Sequence, residues 1–169
     1  MGGKIEESKF MAFRSVGVVK TKASDEEIRE RHREFESTIE IFHEFQEALD
    51  GLEGFSHVFV LTFFHRLRPE QIGPLKLRPR RLLRLGLKIE ELPLVGVFAL
   101  DSPTRPNPIG LSLVRLLRRE DGKLITMGLD CFDGTPVLDI ELYRNDYRTD
   151  KYELAGWYRK LRDRVGREI

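Results

Sequence analysis

The chain contains 169 residues, 40% of them hydrophobic, and carries a formal net charge of +1. This length and composition predict one compact domain with its own hydrophobic core, and so small a net charge does not demand a polyanionic partner. No apolar run is long enough to cross a bilayer, the N-terminal residues lack the apolar core of a signal peptide, and the lone Cys131 forms no internal disulfide, so we expect a cytoplasmic protein.

The first part of the chain predicts short strands separated by polar segments. Residues 1–9 are polar and glycine-bearing, and we expect them to be disordered. FMAFRSVGVVK at 10–20 and STIEIF at 37–42 are typical of strands, since β-branched and aromatic residues are bounded by polar turns. Between them, Ser24 and Glu27 have capping-box spacing, which predicts a short helix in DEEIRERHREF. HEFQEALDGLEG at 43–54 predicts a helical turn ended by Gly51 or Gly54.

The middle of the chain predicts a strand followed by a long insertion. FSHVFVLTFFHR at 55–66 alternates Val58, Val60 and Thr62 on one face with residues on the other face that include His57 and His65. Both faces are largely apolar, so we expect this strand to be central. Residues 67–93 contain four prolines and predict an irregular basic insertion with one helical turn around RRLLRLGL.

The last part of the chain predicts four more strands and a helix. LVGVFAL at 94–100 and PVLDIELY at 136–143 are typical of strands, and Asp121-Gly122 predicts a hairpin turn between LSLVRLLRRE and KLITMGLDCF. From Asp150, with Glu153 at the third helical position, apolar residues fall at helical spacing and predict a C-terminal amphipathic helix. Many short strands with few helices indicate an all-β barrel or sandwich with additions.

Charge is segregated along the chain. Residues 25–53 carry mostly acids, whereas residues 66–88 carry bases against the single acid Glu70. Such a basic run forms either a solvated surface or a phosphate-binding one. On the second interpretation, the residues that contact phosphates are Arg78, Arg80, Arg81 and Arg84.

Usual nucleotide and zinc motifs are missing from the sequence, which contains no G-x-G, no Walker-type glycine loop and no C-x-x-C. The best candidate for a ligand loop is SPTRPNPIG at 102–110, where three prolines restrict the backbone and lower the entropy cost of binding. Arg105 offers a fork of donors for a carboxylate or phosphate, Asn107 suits a base edge, and Gly110 allows close approach. The alternative is a structural turn between two barrel strands.

A second candidate is the turn Asp133-Gly134-Thr135-Pro136, followed by Asp139, which we expect at the interior or rim. Carboxylates there would offset a sulfonium charge or bind ribose hydroxyls. The alternative is a simple turn.

Taken together, FSHVFVLTFFHR, VGVFALDSPTRPNPIGLSLVRLL and DGTPVLDI resemble the TsaA-like or TrmO family, also called the YaeB or VirR-like family. The resemblance runs from about residue 15 to 143. It implies a mainly β fold with a single-sheet β-barrel. Together with the long basic insertion and the C-terminal helix predicted above, we expect a β-barrel domain over residues 1–145 and a C-terminal helical extension over residues 146–169. The resemblance also implies a homodimer that binds S-adenosylmethionine, without a metal, and methylates N6 of threonylcarbamoyl-modified adenosine 37 in tRNA.

Site residues follow from the positions that match the family's motifs. The expected cofactor-binding residues are Asp101, Ser102, Arg105, Pro106, Asn107, Pro108, Ile109, Gly110, Leu111, Asp133, Gly134, Thr135 and Pro136. The catalytic candidates are Arg105, Asp133 and Asp139, with a histidine as an alternative proton acceptor. Arg105 binds either the cofactor or the carboxylate of the threonyl group.

Two segments depart from the family pattern. The acidic KASDEEIRERHREFE at 22–36 stands where the family carries prolines, arginine and glutamine, and Glu141-Leu142-Tyr143 stands in place of K-P-Y. An S-adenosylmethionine sensor without methyl transfer is therefore the alternative function. A β-barrel adaptor without a small ligand is a third, more remote one.

Overall fold

A computed structural model of the protein describes residues 11–31 and 35–166. The predicted disorder of residues 1–9 therefore lies outside the described residues. The chain divides into two units. The barrel unit has 11–31, 35–65 and 110–143 as its described residues, and the second unit has 66–109 and 144–166. The predicted domain boundary between residues 145 and 146 stays a prediction.

The described residues form short strands and two α-helices. The strands are β1 (Gly17–Lys20), β2 (Glu36–Ile41), β3 (His57–Phe63), β4 (Lys76–Leu77), β5 (Val95–Gly96), β6 (Ile109–Glu120), β7 (Lys123–Met127) and β8 (Pro136–Leu142). The helices are α1 (Asp25–Arg31) and α2 (Gly156–Val165). Within the described part of the chain, six of the strands close an antiparallel barrel in the order β1-β2-β7-β6-β3-β8. The predicted single-sheet β-barrel is confirmed.

Alternating side chains fill the barrel. In β3, Val58, Val60 and Thr62 are fully buried, whereas the intervening side chains are half-buried or exposed. Val58 and Val60 pack with Val19 of β1 and Ile39 of β2, both with no exposed surface. Because strand residues two apart share a face, the period of two in the sequence predicted this interior correctly.

Two locally encoded features are confirmed. Asp121 and Gly122 both have positive φ, 39° and 73°, as a tight hairpin turn requires, and β6 pairs with β7 around them. Ser24 caps α1: the Glu27 amide donates to Ser24 Oγ at 3.3 Å, and the Ser24 amide donates to Glu27 Oε2 at 2.8 Å.

Helical turns form at the two places where the sequence predicts them. The turn after β2 is a 3-10 helix, His43–Leu49, which buries Leu49 in the barrel core. The turn in the basic insertion is a 3-10 helix, Arg80–Leu85, which buries Leu82 in a separate core. That second core also contains Leu87, Leu92 and Leu161, the last from α2.

LVGVFAL is not a barrel strand. Only Val95 and Gly96 are extended, paired with β4 in a two-stranded sheet, and Val97–Ala99 then form a 3-10 turn that leaves Phe98 75% exposed. Apolar composition predicted burial, but it does not distinguish a strand from a short irregular segment.

Two predicted elements are shorter than expected. The first strand begins at Gly17, and Met11 and Phe13 before it are exposed. Helix α2 begins at Gly156, six residues after Asp150. Asp150 does not cap this helix, and its carboxylate accepts a hydrogen bond from Arg148 Nε at 2.9 Å. The predicted amphipathic helix is nevertheless present. No helix in residues 11–31 and 35–166 has the length and apolarity to cross a membrane.

Candidate functional site

Residues 101–109, here called the proline loop, lie in the second unit and are held largely by their own side chains. Ser102 Oγ lies 2.9 Å from Thr104 Oγ1 and accepts from the Thr104 amide at 3.3 Å. The Ile109 amide donates to the Asn107 carbonyl at 2.8 Å. The Asp101 and Asn107 side chains are exposed, and Pro108 is buried. The loop is therefore locally braced and presents polar groups to solvent.

Arg105 is the charged side chain of this loop that is not fully exposed. It is half-buried, its Nη2 donates to the Leu100 carbonyl at 2.8 Å, and its Cζ lies 6.0 Å from the centroid of the Phe98 ring. These contacts orient the guanidinium group. They use one of its nitrogen atoms, Nη2, as a hydrogen-bond donor. Sequence reasoning missed Phe98, because it placed this aromatic residue inside a buried strand.

Gly110 is explained by packing within the barrel unit. A Cβ at this position would lie 2.6 Å from Thr62 Oγ1 and 2.8 Å from Phe64 Cζ, closer than real Cβ contacts allow. The glycine thus permits β6 to approach β3. Leu111, the next predicted cofactor residue, is 68% exposed on the outer face of the barrel.

Residues 133–136, here called the DGTP turn, connect to β1 by backbone hydrogen bonds. The Gly134 amide donates to the Val19 carbonyl at 2.9 Å, and the Val19 amide donates to the Thr135 carbonyl at 2.9 Å. The Thr21 amide donates to Asp133 Oδ1 at 3.1 Å. Thr135 is buried at 3% exposure, whereas Asp133 is exposed. Of this turn, Asp133 is the side chain best placed to meet a ligand.

Helix α1 supports the same turn. Arg29 of α1 stacks over the ring of Phe132, with its Cζ 5.0 Å from the centroid, and Phe132 precedes Asp133 in the chain. The acidic segment that departs from the family pattern is therefore in contact with the residue next to a predicted catalytic carboxylate.

Asp139 is exposed rather than interior. Strand β8 carries a register shift opposite Leu61 and Thr62, so that Asp139 pairs with Leu61 while Val137 pairs with Thr62. The extra residue turns Asp139 to the outer face, which strict alternation from buried Val137 did not predict. Its carboxylate accepts from the Ile140 amide at 2.9 Å.

The two histidine candidates lie far from the DGTP turn in sequence. His57 begins β3 and its Nδ1 lies 2.9 Å from Ser56 Oγ, whereas His65 lies beyond the end of β3, so the prediction of one shared strand face is wrong.

Burial raises the pKa of the Cys131 thiol to about 11, which keeps it neutral and unreactive near pH 7. Groups of three or more possible metal ligands do not occur in the described part of the chain.

The predicted RNA-binding arginines lie on and before the 3-10 helix Arg80–Leu85. Three residues make one 3-10 turn, so Arg81 and Arg84 share a face, while Leu82 and Leu85 pack on the second core. Arg80, Arg81 and Arg84 are exposed. Arg78 instead donates from Nη1 to the Leu92 carbonyl, which gives it a structural contact.

A cleft of about 670 Å³ opens on the barrel unit beside Asp133. The exposed Lys20 and Lys22 and the aromatic Phe35 line it. Sequence reasoning missed these residues. The signal that identifies them is K-T-K, two basic residues at the polar end of a strand whose other residues are apolar.

Comparison with known proteins identifies relatives over most of the chain. Residues 27–149 match the family model described as tRNA-methyltransferase O N-terminal domain. A probable S-adenosyl-L-methionine-binding protein of Methanothermobacter thermautotrophicus is 42% identical over 141 residues, which cover 79% of this chain and 90% of that protein. The mouse tRNA (adenine(37)-N6)-methyltransferase is 44% identical over 107 residues, which cover 63% of this chain and 23% of that protein.

Solved structures are also similar. A crystal structure of TrmO superposes with a TM-score of 0.63 at 33% identity, covering 85% of this chain and 63% of that one. TrmO from Pseudomonas aeruginosa gives a TM-score of 0.62 at 31% identity, covering 85% of this chain and 61% of that one. The chain thus spans less than two thirds of the length of each of these two solved chains.

Proposed function

The chain belongs to the family of the tRNA-methyltransferase O N-terminal domain, and on that premise we propose that it binds S-adenosylmethionine and methylates N6 of adenosine 37 in tRNA. The observation that supports this proposal most directly is that the matched residues, 27–149, include both the proline loop and the DGTP turn. Relatives named as S-adenosyl-L-methionine-binding proteins and as tRNA (adenine(37)-N6)-methyltransferases agree with it.

The proline loop has the chemistry that an adenosyl group requires. Asn107 is exposed and offers both a donor and an acceptor to a base edge, and the braced backbone of the loop loses little entropy on binding. We assign cofactor contacts to Asp101, Ser102, Arg105, Asn107 and the adjoining residues up to Leu111. We assign the charge that offsets a sulfonium to Asp133. The buried Thr135 acts in this proposal through its backbone position in the turn, because its side chain is inaccessible.

When bound, the cofactor supplies an electrophilic methyl group. The protein's residues must then orient the acceptor nitrogen and take up its proton, since N6 of a carbamoylated adenosine is a weak nucleophile. We propose Asp133 as the proton acceptor because it is exposed beside the cleft. Asp139, on the outer face of β8, is the second candidate. The fork of Arg105 binds a carboxylate, either that of the cofactor or that of the threonylcarbamoyl group.

RNA contact is assigned to the basic 3-10 helix. Among the described residues neither Arg80 nor Arg81 has an ion-pair partner, so both guanidinium groups are available to phosphates. Replacing Arg80 and Arg81 together by Ala should lower tRNA affinity and reduce the salt dependence of binding by about one phosphate contact per residue, leaving cofactor affinity unchanged. The matched control replaces Arg144 and Arg148, which are already paired with Asp146 and Asp150 at 3.1 and 2.8 Å. Equal losses of tRNA affinity in both variants would contradict the assignment of RNA contacts to this helix.

Transfer of labelled methyl from S-adenosylmethionine to tRNA is the test of the proposed activity. We expect incorporation into tRNA that carries threonylcarbamoyladenosine 37 without the N6 methyl, and much less into tRNA lacking the threonylcarbamoyl group. Calorimetric cofactor binding without incorporation into either tRNA would instead support the sensor function, which the altered segment around α1 favours. Absence of cofactor binding would contradict both the methyltransferase function and the sensor function.

We also propose that the protein acts as a homodimer in the cytoplasm. Sedimentation at low protein concentration, with and without S-adenosylmethionine, measures the oligomeric state. A monomer under both conditions would contradict it.

A further inference from the structure

The two units carry opposite charge. The described residues of the second unit contain 16 Lys and Arg against 8 Asp and Glu, a formal net charge of +8. Those of the barrel unit contain 9 Lys and Arg against 16 Asp and Glu, a formal net charge of −7. The small net charge of the whole chain therefore conceals a strongly basic unit, in which acids such as Glu90 and Glu153 are outnumbered two to one. Such a unit attracts an anionic partner.

Helix α2 shares a side-chain core with the basic 3-10 helix of this unit. Leu161 of α2 is buried with Leu82 of Arg80–Leu85, and Trp157 and Val165 pack against the same core. Because the apolar side of α2 is used in this core, its charged side faces away from it. Helical elements packed on one core lie on the order of 10 Å apart, so bases on both can contact one polyanion.

The bases of α2 fall into an engaged pair and an unengaged pair. The helix has four bases against the single acid Asp163. Arg162 lies 3.1 Å from Asp163. Arg164 lies 2.5 Å from Glu91. The other two bases are exposed and have no ion-pair partner among the residues that the structure describes; they are Arg159 and Lys160.

The position of this second pair does not stabilise the helix. The helix macrodipole favours positive charge in the last turn and disfavours it near the start. Arg159 and Lys160 are the fourth and fifth of ten residues in α2, whose first turn has no acid, whereas the first turn of α1 has three. Lys160 also lies four residues before Arg164, and such a like-charge pair is destabilising. Binding explains this placement better than folding does.

Among anionic partners, a nucleic acid fits α2 better than a membrane surface. A basic amphipathic helix binds a bilayer by placing its apolar face among the lipids. The apolar face of α2 is already used, because Leu161 is only 7% exposed and Trp157 packs in the protein core. What α2 presents to solvent is charge, which suits the closely spaced phosphates of a nucleic-acid backbone.

We propose that Arg159 and Lys160 bind backbone phosphates of the substrate tRNA, together with the basic 3-10 helix. The proposal rests on the proposed function, which makes tRNA the partner. It extends that function to a helix outside the matched residues 27–149. Phosphate contacts position a nucleic acid without reading its sequence. Helix α2 therefore holds the tRNA and takes no part in methyl transfer itself.

Equilibrium tRNA binding across salt concentrations, with the full chain, tests this proposal. Replacing Arg159 and Lys160 together by Gln, which keeps helix propensity, should reduce the slope of log affinity against log salt by roughly 1.4–1.8. Each phosphate contact contributes about 0.7 on a single strand and about 0.9 on a duplex. Affinity should fall on the order of 30-fold at about 0.1 M salt. In methyl-transfer assays, KM for tRNA should rise while kcat and S-adenosylmethionine affinity stay at parent values.

Lys160→Glu separates binding from folding. The new carboxylate would lie four residues before Arg164, a favourable opposite-charge pair, and in the half of α2 where the macrodipole favours an acid. The melting temperature should therefore equal or exceed that of the parent, whereas tRNA affinity should fall. A lower melting temperature with unchanged tRNA affinity would make Lys160 a structural residue and overturn the proposal.

The matched control removes two bases from the barrel unit, as Arg118→Gln with Lys123→Gln. Lys123 already lies 3.3 Å from Glu40, and Arg118 already pairs with Glu120. This variant should bind tRNA with the parent slope. Equal changes of slope in both double variants would overturn the proposal, because they would report net charge rather than a surface on α2.

Two further outcomes distinguish failure of the proposal from failure of the proposed function. A parent that methylates tRNA, with an α2 double variant that keeps the parent slope and KM, would overturn the proposal alone. Loss of binding to phosphatidylserine vesicles with unchanged tRNA affinity would also overturn it, and would assign α2 to a membrane surface. A parent protein that binds no tRNA would reject the proposal and the proposed function together.

Discussion

The proline loop and the DGTP turn are both predicted to bind the cofactor, yet they are built in opposite ways. In the proline loop, the side chains of Ser102, Thr104 and Arg105 bond to groups at most five residues away, and one longer bond joins the Gly73 amide to the Thr104 carbonyl at 3.4 Å. In the DGTP turn, the bonds to Val19 and Thr21 join residues more than a hundred positions apart. The first segment acquires its shape from its own sequence, and the second acquires its shape when the barrel closes.

This difference predicts different consequences of mutation. A change in the proline loop should alter ligand contacts with little effect on folding, because few distant contacts depend on it. A change in or next to the barrel should affect stability as soon as it disturbs the packing between strands. Three substitutions sharpen or break this contrast.

Arg105→Ala should give the largest effect, a loss of methyl transfer on the order of 1,000-fold, comparable to removing a charge-stabilising donor from an active site. The free energy of unfolding should fall by only about 1 kcal/mol, because a single hydrogen bond to the Leu100 carbonyl is lost. Methyl-transfer rates and thermal melts on the same preparation measure both. Arg105→Lys should restore stability and not activity. A loss of several kcal/mol would make the arginine a structural residue.

Asp133→Asn separates the charge of Asp133 from its hydrogen bond. The asparagine side-chain oxygen still accepts from the Thr21 amide, so the melting temperature should stay near that of the parent. Methyl transfer should fall about 100-fold if Asp133 takes up the proton. Asp139→Asn, on the outer face of β8, is the control and should retain activity. Reversed results for these two variants would exchange their roles.

Gly110→Ala should give the smallest change in rate but a clear loss of stability. The added Cβ meets Thr62 and Phe64 within the barrel unit, and overpacking of this kind costs about 1–3 kcal/mol. Chemical denaturation measures the loss. Gly156→Ala, at the start of α2 with no atom within 4 Å of the added Cβ, should be neutral or slightly stabilising. Equal stability of both variants would contradict the close approach of β6 and β3.

Features that depend on neighbouring residues were predicted correctly. The hairpin turn at Asp121-Gly122 requires positive φ at both positions, and this pair adopts such angles readily. The capping box of Ser24 and Glu27 joins residues three apart. The inward row of β3, including Val58 and Val60, follows from a period of two.

Features that depend on distant contacts were missed. Asp139 was expected inside or at the rim, but the irregular pairing of β8 with β3 turns it outward. Phe98 was expected in a buried strand, but its segment pairs with β4 for only two residues before a 3-10 turn. In each case a partner that local pattern does not specify changed the outcome.

The amino-acid order alone therefore established the alternating barrel strands, the tight turns, the stiffness of the proline loop and the resemblance that led to the family. These are properties of backbone dihedrals and of hydrophobic period, and both act within a few residues. Strand pairing decided the rest: which carboxylate faces outward, why residue 110 must be glycine, and that Lys20 and Lys22 line a cleft with Asp133. Those outcomes depend on hydrogen bonds and close contacts between residues far apart in the chain, whose geometry exists only after folding.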